Sequence, residues 1–216
     1  MEMKHILLTG FEPFGGETIN PSWQIASALH GHLVGEAQVV AVQLPTVFQE
    51  ALKALDTALA AHRPQMVVAL GQAGGRTEIS VERVAINVDD ARIPDNARQQ
   101  PVDAPVVSGG PAAYFSTLPI KSVVAALHRA GVPASVSQTA GTFVCNHVFY
   151  GLQHRLVGSG VRSGFVHVPY VPEQVRGRAG VASLPLSTLV EGVRILLNTA
   201  WHHQGADAHL AAGAES

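Results

Sequence analysis

Apolar runs and helical periodicities alternate along the first part of the chain. Ile6-Leu7-Leu8 is wholly apolar and halts at Thr9-Gly10, the pattern of a strand buried on both faces. Ser22 reads as the N-cap of a helix reaching about Leu33. Val39-Val40-Ala41-Val42 reads as a second strand, ending at Leu44-Pro45-Thr46. Val47, Ala51, Leu52, Leu55 and Leu59 then recur at helical spacing as far as His62, before Pro64. Met66 to Leu70 is a third apolar strand, closed by Gly71-Gln72-Ala73-Gly74-Gly75. This order predicts an α/β fold, a largely parallel sheet with helices on both faces.

The segment Ile79–Val88 reads as one strand whose even face carries Glu82 with Val84, Ile86 and Val88. A carboxylate on an apolar face is costly without a hydrogen-bonded partner. Arg83 points the other way in a regular strand, so Glu82 is either the solvated gatekeeper of an edge or a functional carboxylate. Asp89 to Pro105 is polar and holds three prolines together with Arg92 and Asp95, an arm suited to covering a site or meeting another subunit. A helix is expected from about Pro119, a strand at Ala134–Ser137, a helix through Cys145 to about Val157 and a strand at Gly164–Pro169. Ser187 opens a last helix to about His203. Residues 1–204 are expected to form one domain, and the small, polar tail 205–216 to fray.

Composition narrows the function. An apolar fraction of 47% with 14% charged residues describes a globular chain with a large core. The net charge of −2 and the lack of any Lys/Arg run argue against nucleic acid and anionic membranes as partners. The start of the chain does not read as a secretory signal, and no apolar stretch is long enough to span a bilayer. A single cysteine excludes an intrachain disulfide, so a reduced thiol in the cytoplasm is expected. The loop Gly10–Pro21 has neither glycine spacing of a phosphate cradle, and no cofactor is expected.

That one cysteine, Cys145, falls in the first turn of a helix, where unpaired N–H groups and the macrodipole should lower the thiol pKa. It is a candidate nucleophile; a small buried hydrophobe is the alternative. A nucleophile needs a base and a group that orients the base. Among 11 histidines most lie on late helical turns, at helix ends or in the tail, and His147 faces away from Cys145 on one helix. His167 ends a buried strand, where ligands of open α/β sheets gather, and Cys145 is expected at that same edge. Glu82 can supply the orienting carboxylate. Two other readings are a binding module with an inert Cys145 and a metal site using His147, His167 and Glu82, which lacks the H-E-x-x-H spacing.

Several blocks of the sequence together resemble the pyroglutamyl-peptidase I family of cysteine peptidases. They are Gly10-Phe11-Glu12-Pro13-Phe14-Gly15-Gly16 with Asn20-Pro21-Ser22-Trp23, Gly71-Gln72-Ala73-Gly74, Glu82-Arg83-Val84-Ala85-Ile86-Asn87, Asp90–Asn96, Gly110–Phe115, Ala140–His147 and Gly164–Pro169. The resemblance implies an α/β/α sandwich around a twisted, mostly parallel mixed sheet, and release of an N-terminal pyroglutamyl residue through a thioester. It implies Glu82, Cys145 and His167 as catalytic residues and Arg92 as support for the oxyanion. It also implies a substrate pocket at Phe11, Phe14, Asn20, Gln72, Ile93, Phe143 and Val144, without metal or cofactor. A hydrogen bond to the lactam through Asn20 or the Gln72 backbone would disfavour proline. A homo-oligomer, a tetramer by resemblance, is expected.

Overall fold

The computed structural model describes residues 3–213. Its central sheet has seven strands in the order β2-β3-β1-β4-β9-β5-β8. These are β1 (Lys4–Phe11), β2 (Leu33–Val34), β3 (Ala37–Leu44), β4 (Met66–Gln72), β5 (Ile79–Glu82), β8 (Ala134–Ser137) and β9 (Arg162–Val168). β3, β1, β4 and β9 are mutually parallel, as the alternation of strand and helix predicts. β2 is antiparallel to β3, and β5 is antiparallel to β9 but parallel to β8.

Strand periodicity divides the core into two. Ile6, Leu8, Met66, Val68, Leu70, Val166 and Val168 join helices α1 (Pro21–Ala28), α3 (Ile120–Arg129) and α5 (Leu186–His202) on one face. Leu7, Val67, Ala69 and Phe165 join α2 (Glu50–His62) and α4 (Val144–Leu156) on the other. The result is the three-layer α/β/α sandwich expected from the sequence.

Local chemistry shifts several boundaries. Asn20, not Ser22, caps α1: its Oδ1 accepts from the Ser22 N–H at 3.0 Å, and Pro21 takes the first helical position. That helix stops at Ala28; Gly31 turns the chain at φ +79°, and Leu33–Val34 pair as β2. α2 starts at Glu50 rather than Val47, because Gln49 adopts φ +62° at its N-cap. The expected strand over 79–88 breaks at Arg83, whose N–H still bonds Ser137 O in line with β8. Beyond it β6 (Val84–Ile86) leaves the sheet to pair with β7 (Ala113–Phe115), which lies ahead of the expected helix. α5 opens one residue before Ser187, after Pro185.

The tail touches the domain at Asp207. Asp207 accepts from the N–H groups of Lys121 and Ser122 at 2.9 Å each, capping α3, whose own N-cap position is Pro119. Residues 214–216 lie outside the described chain.

Candidate active site

His167 sits one residue before the end of β9, on the sheet face that carries Phe165 and meets α4. Its register partner on β4 is Gly71. Gly71 has no side chain, and the space a Cβ would take is bounded by Cys145 Sγ at 2.9 Å and the Phe165 ring at 2.7 Å. Cys145, the second residue of α4, therefore drops its sulfur onto the strand position beside His167. The N-cap of that helix, Phe143, provides no side-chain cap, so the first-turn N–H groups next to Cys145 remain available to an oxygen anion.

The strand directions differ from the arrangement expected. β8 runs opposite to β9 and stands two places from it, so its carboxyl end is not at the edge where His167 lies. The loop between Ser137 and Phe143 carries the chain back to bring Cys145 there. β5 is also reversed: Ser80 pairs with His167, and Glu82 lies two residues on along the same face. From that diagonal position Glu82 Oε1 accepts from His167 Nδ1 at 2.8 Å. Glu82 is fully buried on an inner strand, so it is no solvated gatekeeper.

With Nδ1 donating to Glu82, His167 presents Nε2 as the nitrogen able to take a proton. Glu82 Oε1 also meets Arg76 Nη2 at 3.1 Å, and Oε2 is buried without a hydrogen-bond partner among the described residues. Cys145 retains some exposure, yet the thiol is packed closely enough that burial pushes its pKa up to about 12. The Glu82 charge adds to that rise, and Arg76 opposes it. The direction is opposite to the lowering expected from the helix start, with loss of water around the sulfur as the largest cause.

The expected pocket residues divide. Phe14 and Phe143 face each other with ring centroids 6.1 Å apart, beside the start of α4. Phe48, absent from the expectation, meets Phe143 edge-on at 5.4 Å. Phe11 is buried against Phe165 at 6.4 Å, and Val144 is fully buried. The Asn20 side chain is occupied: besides capping α1, its Nδ2 donates to Glu12 O at 3.1 Å. Gln72 Oε1 is engaged within the chain, accepting from Gln174 Nε2 at 2.8 Å. Ile93 is 42% exposed. Arg92 is exposed beside it and makes no hydrogen bond or ion pair among the described residues. The cation drawn into the cluster is Arg76. The signal for it was the turn Gly74-Gly75 following a buried strand, which places the next side chain over the sheet edge.

His147 belongs elsewhere. It is fully buried, donating from Nδ1 to Asp89 Oδ2 at 2.7 Å and accepting the Gln49 N–H on Nε2 at 3.1 Å. His147 and His167 thus serve different carboxylates. No group of three His, Cys, Asp or Glu side chains that could hold a metal occurs among the described residues.

Known proteins match this chain over nearly its whole length. The sequence model of a family described as Pyroglutamyl peptidase (Peptidase C15) matches residues 4–203. A pyrrolidone-carboxylate peptidase of Klebsiella pneumoniae is 56% identical over 213 residues, covering 98% of this chain and 99% of that protein. One from Cupriavidus taiwanensis is 61% identical over 201 residues, 92% of this chain and 93% of its own. The crystal structure of pyroglutamyl peptidase I from Bacillus amyloliquefaciens superposes with a TM-score of 0.93 at 47% identity, covering 97% of this chain and 100% of that one. With a fold, a length and a match over nearly all its residues in common with these proteins, the chain belongs to the pyroglutamyl peptidase family of cysteine peptidases.

Proposed function

We propose that this protein hydrolyses the amide bond after an N-terminal pyroglutamyl residue, with Cys145 as nucleophile, His167 as base and acid, and Glu82 as the group that orients the imidazole. The observation that carries this assignment is the Glu82–His167 hydrogen bond beside the strand position on which the Cys145 sulfur rests.

A thiol held neutral by burial gives up its proton to His167 Nε2 as the sulfur attacks the pyroglutamyl carbonyl. The S–C bond forms, and the carbonyl oxygen becomes an anion that the first-turn N–H groups of α4 stabilise. As the C–N bond breaks, His167 returns the proton to the leaving amine, and a thioester remains. Water, deprotonated by His167, opens the thioester, releasing 5-oxoproline and the thiol. Glu82 holds the proton of the ring on Nδ1 and stabilises the imidazolium. Arg92, on the exposed arm, is assigned the support of the oxyanion in the substrate complex.

Phe14 and Phe143, with Phe48 behind, offer the flat, uncharged lactam an apolar wall. The Gln72 backbone supplies the hydrogen bond that separates the lactam from proline. Phe11 and Val144 back the pocket from the core, Asn20 fixes its loop, and Ile93 closes it from the arm. A nucleophile that must stay reduced is the support for our proposal of a cytoplasmic location. The arm through Pro101 and Pro111 is proposed as a contact in a homotetramer, which sedimentation of the purified protein tests.

The deciding assay is hydrolysis of a pyroglutamyl fluorogenic amide. The wild type is expected to be active and Cys145→Ser inactive; a silent wild type, or a mutant that matches it, sinks the assignment.

A further inference from the structure

The buried Glu82 carboxylate sets a problem that the three proposed catalytic residues do not solve. It is fully excluded from water, one oxygen serves His167, and the other has no partner among the described residues. A buried carboxylate facing a sulfur that must become negative opposes the very step the thiol has to make. The groups that face Cys145 are Glu82 from β5, His167 from β9 and Arg76 from the loop after β4.

Arg76 is held in place by more than its charge. One nitrogen, Nη2, reaches Glu82 Oε1 at 3.1 Å and donates to Thr139 O at 3.0 Å. Thr139 O also accepts from Ser137 Oγ at 3.0 Å, and Thr139 Oγ1 accepts the Gly141 N–H at 3.0 Å. This is the loop that returns the chain to Cys145. The loop bearing Arg76 is shaped as closely: Gly75 sits at φ +88°, and a Cβ on Gly74 would stand 2.4 Å from the Tyr170 hydroxyl. Three segments of chain therefore meet at one guanidinium, about a quarter exposed.

We propose that Arg76 is a positioning residue of this site, acting through Glu82: it holds the buried carboxylate toward His167, offsets its charge where Cys145 ionises, and ties both to the Thr139 loop. It touches no reacting atom. The inference rests on the proposed role of Cys145, so its test is made without substrate.

Cys145 is the only cysteine, so iodoacetamide, a neutral reagent, reports its ionisation without a competing thiol. The rate of alkylation is measured against pH for wild type, Arg76→Gln and Arg76→Lys. Removing the cation moves the profile of Arg76→Gln to higher pH by about one unit or more. Since a single nitrogen makes both contacts, Arg76→Lys keeps a profile close to wild type. A profile for Arg76→Gln that coincides with wild type overturns the proposal, even if its melting temperature falls. Should Arg76→Gln fail to fold, Arg76→His replaces it. Its cation is lost as the imidazole deprotonates, so its profile must lie above that of Arg76→Lys, and coincident profiles overturn the proposal. Failure of the peptidase assignment shows separately, as a wild type silent on the pyroglutamyl amide.

Discussion

The sulfur of Cys145 rests on the backbone of Gly71: a methyl group at Gly71 would lie 2.9 Å from Sγ and 2.7 Å from Phe165 Cζ. Real Cβ atoms do not approach so closely, so Gly71→Ala must push either the thiol or the ring. Displacing the thiol by a fraction of an ångström from His167 is expected to lower kcat/KM by about 100-fold. The overpacking should cost about 1–3 kcal/mol. Steady-state kinetics beside a thermal melt separate the two; unchanged kinetics would mean that the sulfur does not work from this position.

The raised thiol pKa makes a statement about stability. The folded state binds the Cys145 proton more tightly, with a pKa of about 12, than the unfolded chain does, at about 8.5. The stabilisation is complete below the unfolded value and is lost as pH rises toward the folded one. Relative to Cys145→Ala, the wild type should therefore lose melting temperature between about pH 8.5 and pH 10. Parallel curves for the two proteins would show that burial does not dominate at this sulfur.

Asp89 and His147 form a second buried pair, joined at 2.7 Å behind the aromatic wall. His147 Nε2 accepts the N–H of Gln49, whose φ of +62° strains a residue that is not glycine. His147→Ala is expected to cost about 3 kcal/mol in denaturant unfolding. Gln49→Gly should stabilise by about 1 kcal/mol through relief of that strain. A neutral result for His147→Ala would remove the pair as the anchor of the α2 start.

Asp207 reaches back from the tail to cap α3. Burial alone would raise its pKa, but hydrogen bonds from Lys121, Ser122 and Ala208 outweigh that and lower it. Asp207→Ala should cost about 1 kcal/mol at neutral pH. Because the folded pKa is lowered, this contribution is present above the unfolded carboxylate range and fades as pH falls through the folded value. Urea unfolding at neutral and acid pH measures both effects.

Much of this molecule is legible in one dimension. The apolar runs at Ile6–Leu8, Val39–Val42, Met66–Leu70 and Gly164–Val168 became β1, β3, β4 and β9; in β1, β4 and β9 burial on both faces leaves an unbroken apolar signature, while β3 is partly buried on one face. Helical spacing marked α2 and α3 nearly to their ends. The lone cysteine at a helix start, the histidine ending a strand and the carboxylate on an apolar face each stand out against their own neighbours. Such features depend on residues a few positions apart, and local pattern is enough to see them.

What lay beyond that reach depends on partners far along the chain. The strand over 79–88 looked continuous because alternation persists through Arg83; the break follows from where β7 and β8 offer edges. The reversal of β5 and β8 sends Glu82 to His167 along a diagonal, which no spacing within one strand announces. That Arg76 meets Glu82 turned on which loop folds over that carboxylate. The direction of the thiol pKa followed from packing around the sulfur. Periodicity and residue chemistry are local properties. Register, strand direction and desolvation arise from contacts between segments that the chain itself keeps far apart.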